Sequence, residues 1–280
     1  DDHLMGINYV IRGVEYLTST NKYNLIYDAF GWERPKYIHL QPIMKDSAHK
    51  LSKRTGDASF EDFIAKGYLS QAIVNYIALL GWSPKDNREK LSMQELVEAF
   101  SIEGLSKSPS IFDEVKMRWL NSLYVKELPA EEFAKLSKPY YDNLGLAGKY
   151  DYAILDKLLQ SRIEIMSDIP EKLKFLDQFD NFDLNLFENK KLKIDKTTAK
   201  EVLPKLIKRL EEINSFDNAA LFENLKQFSA EINLKSAALF WIMRIALTGA
   251  EVTPGGATEM AELLGKERSL ERIKTAYQRL

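Results

Sequence analysis

Hydrophobic residues recur at helical spacing through most of this 280-residue chain. From Ser59 onward, a hydroxyl and an acidic residue stand three apart at Ser59 and Asp62, and again at Ser92 and Glu95, which is typical of the first turn of a helix. Beyond about residue 130 we find amphipathic helical stripes and no convincing strand pattern. One such stripe consists of Leu203, Leu206, Ile207, Leu210 and Ile213. The pattern therefore predicts a mainly α fold.

The first fifty residues follow a different pattern. Two β-rich runs, Gly6–Arg12 and Tyr37–Met44, flank a helical stretch from Asn21 to Phe30 that ends at Gly31. We therefore expect a partial α/β unit ahead of the helical part. Within the helical part, the Asn/Asp-rich segment Asp177–Lys196 lacks helical periodicity, and we interpret it as the best internal boundary.

Composition excludes several classes of protein. A hydrophobic content of 45% and a charged content of 29% are typical of a folded, water-soluble chain, and the length suggests about two domains. The absence of cysteine excludes a thiolate nucleophile and cysteine-ligated metals, and it indicates a reducing compartment such as the cytoplasm. A net charge of −2 means that an RNA partner would need local patches. The apolar run Ala237–Leu247 is shorter than the roughly 20 residues that span a bilayer, so no membrane is expected.

Three segments could carry chemistry. Lys50–Gly56 combines two lysines, an arginine and two hydroxyls, which suits a loop that grips phosphate oxygens, although a solvated surface run is the simpler alternative. Arg12 lies in an apolar context, where a guanidinium needs an anion; a structural carboxylate such as Glu15 would also serve. Asp1–His3 offers metal-ligand side chains that point in different directions, so no protein-bound metal is predicted.

Several long motifs, in order and spacing, resemble the bacterial glutamyl-tRNA synthetase family. They are Asp1–Thr20, Tyr27–Leu40, Lys50–Gly56, Gly67–Pro84, Phe112–Val125, Arg244–Gly255 and Leu263–Ile273. The resemblance is strong over about residues 1–125 and 244–274, whereas 130–240 matches mainly in helical character.

The resemblance implies a mainly α chain that begins with the C-terminal remnant of a class I Rossmann-type α/β catalytic domain. The implied domains are this partial catalytic domain (1–50), a helical stem-contact connector with the catalytic loop (51–129), and two all-α anticodon-binding modules (130–188 and 189–280). The family's HIGH motif would lie upstream of Asp1, and the chain opens without an initiator Met. We therefore expect a fragment that does not make aminoacyl-adenylate by itself.

The implied activity is ATP-dependent activation of glutamate, with Mg²⁺ accompanying ATP, followed by transfer to tRNA(Glu). The KLSKR string stands where the family's KMSKS signature stands, and it assigns catalytic roles to Lys50, Ser52, Lys53 and Arg54. ATP contacts are implied for Glu15, Tyr16, the backbone near Ile43, Lys50 and Lys53. Arg12 matches the arginine that reads a substrate carboxylate. Anticodon contacts are implied for Arg162, Thr253 and Pro254.

Two alternatives remain open at the level of sequence. One is a non-catalytic, synthetase-derived tRNA-binding or regulatory protein, and the other is a helical interaction scaffold without tRNA affinity. A steep salt dependence of binding, expected of phosphate contacts, separates the scaffold from both tRNA-binding hypotheses. We expect a monomer in the cytoplasm. The sequence leaves open whether the parent enzyme charges only glutamate tRNA or also glutamine tRNA.

Overall fold

A computed structural model describes residues 1–51, 59–177, 179 and 182–280, and the chain divides into two compact units, Asp1–Glu127 and Leu128–Leu280. All β-strands of the described residues lie in unit 1, whereas the described part of unit 2 is built from helices and turns. The prediction of a mainly α fold is confirmed.

The described part of unit 1 combines two small two-stranded parallel sheets with helices. Its strands are β1 (Tyr9–Gly13), β2 (Lys36–Leu40), β3 (Ile43–Met44) and β4 (Ser110–Ile111). Its helices are α1 (Thr20–Ala29), α2 (Phe60–Ala65), α3 (Ser70–Gly81), α4 (Met93–Ala99) and α5 (Glu114–Glu127). β1 pairs with β2 and β3 pairs with β4, both in parallel, and the first register places Arg12 opposite His39.

The β-rich run Tyr37–Met44 forms two strands rather than one. Pro42 lies between β2 and β3 and lacks the N–H that a continuous ladder needs, so the run is interrupted there. The predicted strand Gly6–Arg12 also begins later, at Tyr9, because Gly6 closes a turn with a φ of 67°.

Both predicted helix starts in unit 1 are confirmed as capping boxes. The Ser59 hydroxyl accepts the Asp62 N–H at 3.1 Å, and the Asp62 carboxylate accepts the Ser59 N–H at 3.3 Å. The same reciprocal pair joins Ser92 and Glu95, at 3.2 and 2.8 Å. Each box satisfies two N–H groups that a helix start would leave unpaired.

A buried polar contact links α3 to α5 in unit 1. The fully buried Asn75 accepts the Leu91 N–H at 2.9 Å through its side-chain oxygen. The Tyr124 hydroxyl lies 2.6 Å from that same oxygen and 2.7 Å from the Leu91 carbonyl oxygen. Because buried polar groups cost stability when left unpaired, this contact fixes how the two helices pack.

Unit 2 packs its helices around amphipathic stripes. The helices are α6 (Ala130–Asn143), α7 (Tyr152–Leu159), α8 (Ile169–Leu173), α9 (Lys196–Glu212), α10 (Asn218–Glu231), α11 (Ser236–Thr248) and α12 (Ala257–Arg279). Leu203, Leu206 and Leu210 of the predicted stripe are fully buried on α9. The apolar run Ala237–Leu247 is the buried helix α11, and among the described residues no helix has the length and apolarity needed to cross a membrane.

The last helix, α12, is kinked at Gly265, whose φ of 76° and ψ of 168° are not helical. Beyond the kink, four basic side chains donate to main-chain carbonyl oxygens elsewhere in unit 2. We call them the basic ladder, and they are Lys266 (to Glu211 and Ile213), Arg268 (to Lys149), Arg272 (to Phe175, Leu176 and Leu247) and Arg279 (to Phe182). These bonds satisfy carbonyl groups that helix ends and loops would otherwise leave unpaired.

The segment Asp177–Lys196 is packed into unit 2 rather than exposed as a linker. It contributes Phe179, Phe182 and Phe187, which are 6%, 7% and 0% exposed. Among its described residues, Leu184–Phe187 form a short 3-10 helix, which has no α-helical period. The module boundary that we place at residues 188–189 stays a prediction.

Candidate functional site

Arg12 lies on β1 with its guanidinium among neutral partners. Its Nη2 donates to the Thr20 hydroxyl at 2.8 Å, and its Nε lies 3.4 Å from His39 Nε2 on β2. The guanidinium carbon is 5.1–5.5 Å from the ring centres of three tyrosines, namely Tyr16, Tyr23 and Tyr37. These rings and acceptors orient the guanidinium without neutralising its charge.

The structure does not pair Arg12 with Glu15. Within the described part of the chain, Arg12 forms no ion pair, and the Glu15 carboxylate instead lies against Gly13, where a Cβ would overlap with it. The alternative in which Glu15 neutralises Arg12 is therefore wrong for this structure. The positive charge of Arg12 stays available to an anion from solution, such as a carboxylate.

Glu15 and Tyr16 follow Arg12 directly in a 3-10 helix, Val14–Tyr16, at the carboxyl end of β1. Ligands of open α/β sheets bind beyond the carboxyl ends of parallel strands. The predicted glutamate contact and two of the predicted ATP contacts are thus brought together at one strand end.

A second group of predicted site residues lies beside β3. The Ile43 carbonyl accepts the Leu51 N–H at 3.0 Å, and Lys50 forms an antiparallel bridge with Met44, so Ile43 and Lys50 are brought close. Ile43 also lines a largely apolar pocket of about 320 Å³ in unit 1. Ser52, Lys53 and Arg54, the other predicted members of the catalytic loop, lie outside the described residues.

The chain turns sharply before Lys50, and Asp46 holds this turn. Its carboxylate accepts the N–H groups of Ala48 and His49, each at 2.8 Å, and lies 2.9 Å from His49 Nδ1. The Ala48 N–H first, and then the His49 side chain and N–H, lower the pKa of Asp46 to about 2. Sequence reasoning missed Asp46, although an Asp two residues before a turn N–H is a recognisable signal.

The Asp1–His3 segment, for which no metal site is predicted, makes an aromatic contact. The His3 ring stacks on Trp32 with 4.1 Å between ring centres. Over the described ranges, no three His, Asp or Glu side chains form a group that could hold a metal ion.

In unit 2, Arg162 follows α7 and is held by two contacts. Its Nη1 donates to the Leu158 carbonyl oxygen at 2.8 Å, and its Nη2 donates to Glu259 Oε1 at 2.9 Å. Glu259 lies in the first turn of α12, 97 residues further along the chain. We call this ion pair the Arg162–Glu259 clasp.

The loop before α12 meets the same carboxylate. The second oxygen of Glu259 accepts the Gly256 N–H at 2.7 Å, and the Thr253 hydroxyl donates to the Gly255 carbonyl oxygen at 2.6 Å. A Cβ on Gly255 would lie 2.9 Å from Glu259 Oε2 and 2.6 Å from Leu158 Cδ1, so a larger residue there would displace these two side-chain ends. Pro254 is buried.

The clasp therefore links Arg162 to Gly256, which closes the loop that contains Thr253 and Pro254. Arg162 and the Thr253–Pro254 loop are distant in sequence and meet through Glu259. Sequence reasoning missed Glu259, and the available signal was its position three residues after Gly256, the spacing of a helix cap.

Family models match both units of the chain. Residues 1–119 match the model described as tRNA synthetases class I (E and Q), catalytic domain, and residues 132–277 match the model described as anticodon binding domain.

Curated relatives align along the whole chain. The glutamate–tRNA ligases of Clostridium tetani and Clostridium kluyveri are 44% and 45% identical to it over 280 residues, which is 100% of this chain and 57% of each relative. The chain thus spans little more than half the length of these relatives.

Two solved structures are similar as well. A glutamate tRNA ligase from Elizabethkingia meningosepticum, in complex with its amino acid, matches with a TM-score of 0.84 and 27% identity over 99% of this chain and 58% of its own. The glutamate–tRNA synthetase from Elizabethkingia anophelis matches with a TM-score of 0.82 and 26% identity over the same shares. These matches confirm the family resemblance that the motifs predict.

Proposed function

Because the chain belongs to the class I tRNA synthetases (E and Q) and carries their anticodon binding domain, we propose that it is part of a glutamate–tRNA ligase and holds the anticodon end of tRNA(Glu). The observation that carries this proposal is the Arg162–Glu259 clasp, which lies within the residues matched by the anticodon binding domain. Arg162, Thr253 and Pro254 are the proposed tRNA contacts. Single-stranded anticodon bases are read by hydrogen bonds to their edges, and an arginine fork beside a fixed loop suits that task.

For the whole ligase we propose that Arg12 binds a carboxylate of glutamate. Its guanidinium is oriented by Thr20 and by the surrounding rings but keeps its charge, which supports bidentate contact with an anion. A carboxylate of the substrate would be the anion that pairs with Arg12, since Glu15 does not pair with it.

We propose that ATP, with Mg²⁺ as part of this substrate, contacts Glu15, Tyr16, the backbone at Ile43, Lys50 and Lys53. The catalytic loop would consist of Lys50, Ser52, Lys53 and Arg54. Its cationic side chains would hold the triphosphate while the glutamate carboxylate attacks the α-phosphorus, and they would stabilise the charge that leaves with pyrophosphate. The chain by itself is expected not to charge tRNA, since it spans 57% of the length of its ligase relatives. We also propose a monomer in the cytoplasm.

The test is binding of the chain to in-vitro transcribed glutamate tRNA and to the same transcript with a substituted anticodon, at two salt concentrations. We expect tighter binding to the first transcript and weaker binding to both at higher salt, because phosphate contacts release counterions.

Salt-sensitive binding without anticodon preference would support RNA binding and contradict anticodon reading. No binding to either transcript would contradict the proposed function of this chain and favour a helical scaffold.

A further inference from the structure

The two carboxylate oxygens of Glu259 have separate partners. Oε2 accepts the Gly256 N–H at 2.7 Å and so caps the start of α12, while Oε1 accepts Nη2 of Arg162 at 2.9 Å. One side chain therefore ties the guanidinium to the backbone of the Thr253–Gly256 loop. A movement of the guanidinium would disturb the loop, and a movement of the loop would disturb the guanidinium.

The clasp leaves most of the Arg162 guanidinium free for a ligand. A guanidinium has five N–H donors. One N–H reaches the Leu158 carbonyl oxygen and another reaches Glu259, which leaves three donors without a partner among the described residues. The Arg162 side chain is 36% exposed, so it is accessible to a ligand from solution.

We propose that Glu259 is a positioning residue that fixes the Arg162 guanidinium for reading an anticodon base of the bound tRNA. This inference rests on the proposed function and deepens it, because it names the residue on which anticodon discrimination depends. Glu259 itself needs no contact with RNA, and its action on the RNA passes through Arg162.

The physical reason is entropic and geometric. A free arginine side chain loses its freedom to rotate about several bonds when it binds. This loss costs roughly 0.5–1.5 kcal/mol for an immobilised side chain of this kind. The Leu158 and Glu259 contacts impose that order before RNA arrives. The alignment of the guanidinium plane also decides which base edge can accept two of its donors at once.

Electrostatics alone predicts a change in RNA binding opposite in sign to the one that a positioning role predicts, which makes the proposal testable. Glu259 is a negative charge beside a surface proposed to bind a polyanion, so its simple removal should tighten RNA binding. A positioning role requires weaker binding when the carboxylate is lost.

Glu259→Gln is the informative variant. A glutamine places its NH2 donors where glutamate has its second oxygen, so the donor at that position, either the Gly256 N–H or Arg162 Nη2, loses its acceptor. Glu267→Gln is the matched control, because it removes an exposed negative charge from the same helix, α12. Binding of the transcribed glutamate tRNA and of the anticodon-substituted transcript is measured for each protein, together with the midpoint of thermal unfolding.

We expect Glu259→Gln to weaken binding of the glutamate transcript by about 2- to 10-fold, the range that corresponds to immobilising one flexible side chain. The preference over the anticodon-substituted transcript should shrink by the same factor. Glu267→Gln should bind as tightly as the unchanged chain, or slightly more tightly. In an Arg162→Ala background, Glu259→Gln should have no further effect on the preference, because the residue acts through Arg162. Loss of the cap alone would lower the unfolding midpoint and leave the preference intact.

Unchanged or tighter binding by Glu259→Gln, with an unchanged anticodon preference, would overturn this inference alone. If Glu259→Gln lowers the preference further in the Arg162→Ala background, by the same factor as in the unchanged chain, the inference is overturned too, since Glu259 would then act by another route. Absence of anticodon-dependent binding by the unchanged chain would overturn the proposed function, and this inference with it.

Discussion

At the scale of single residues, some polar side-chain atoms lie within hydrogen-bond distance of two partners. Tyr124 is one such residue, since its hydroxyl lies between Asn75 Oδ1 and the Leu91 carbonyl oxygen. Both neighbours are acceptors, so the site suits a protonated hydroxyl and opposes a phenolate. Burial is the main reason that the pKa of Tyr124 is raised to about 12, and the nearby charges of Glu95 and Glu127 act in the same direction.

This shift predicts that stability falls in alkali. Below pH 10 the Tyr124 hydroxyl is protonated in the folded and unfolded chains alike, so its contribution is complete. As the pH rises from about 10 towards 12, the unfolded chain loses this proton first, and the free energy of unfolding decreases. Tyr124→Phe should flatten this decrease. Urea unfolding at several pH values measures it, and an equally steep decrease in the variant would contradict the assignment.

Residue identities predicted some of these arrangements and missed others. The pairing of Ser92 with Glu95 was readable because both partners lie within one helical turn. The clasp between Arg162 and Glu259 was not readable, because nothing in one sequence links residues 97 positions apart. The neutral surroundings of Arg12 were missed for a similar reason, since the β1–β2 register decides which side chains face it.

At the scale of elements, α12 is held by basic side chains as well as by apolar packing. Arg272 donates to Leu176 and Leu247 carbonyl oxygens at 2.7 and 2.9 Å, and its guanidinium carbon lies 4.6 Å from the ring centre of Phe179. The planar fork satisfies several carbonyl groups while it stacks on an aromatic face. Helical periodicity beyond about residue 130 predicted helices in this part of the chain, but these polar contacts depend on loops far away in sequence.

Arg272→Lys tests this dependence. Lysine keeps the charge but cannot reach the carbonyl oxygens as a fork or stack as a plane, so we expect a loss of about 1–3 kcal/mol in the free energy of unfolding. The midpoint of urea unfolding at an unchanged slope measures the loss. Glu271→Gln, an exposed neighbour on the same helix, is the control and should change stability by less than about 0.5 kcal/mol. Equal stability of the two variants would show that the carbonyl contacts contribute little.

Predicted element boundaries were wrong where the period of the pattern was interrupted. Pro42 divides a run that reads as one strand, and the 3-10 helix Leu184–Phe187 has no α-helical period to detect. In Tyr37–Met44 the hydrophobic residues were recognised and the break in the strand was not, whereas Asp177–Lys196 was recognised only by its missing helical period.

At the scale of the whole molecule, the proposed functions divide between the two units. Arg12, Glu15, Tyr16, Ile43 and Lys50 belong to unit 1, and the Arg162–Glu259 clasp with its loop lies entirely in unit 2. Each unit is compact in itself. The proposed anticodon site is therefore complete within unit 2.

This division predicts that Leu128–Leu280, produced alone, unfolds cooperatively and keeps the anticodon preference of the whole chain. We expect a smaller salt dependence if unit 1 also contacts phosphates in the whole chain. Circular dichroism and binding to the two transcripts provide the measurement. A folded Leu128–Leu280 without any anticodon preference would contradict the placement of the site.

The basic ladder of α12 also has a consequence for the folding of unit 2 during its synthesis. A ribosome extends a chain from the amino end, so the carbonyl groups of Lys149, Leu176 and Phe182 emerge well before the arginines that satisfy them. Until α12 follows, these carbonyl groups can bond only to water, and the apolar surface beneath α12 is uncovered. The contacts that close unit 2 against α12 can therefore form only after the last helix has been synthesised, whatever the order in which the other helices form.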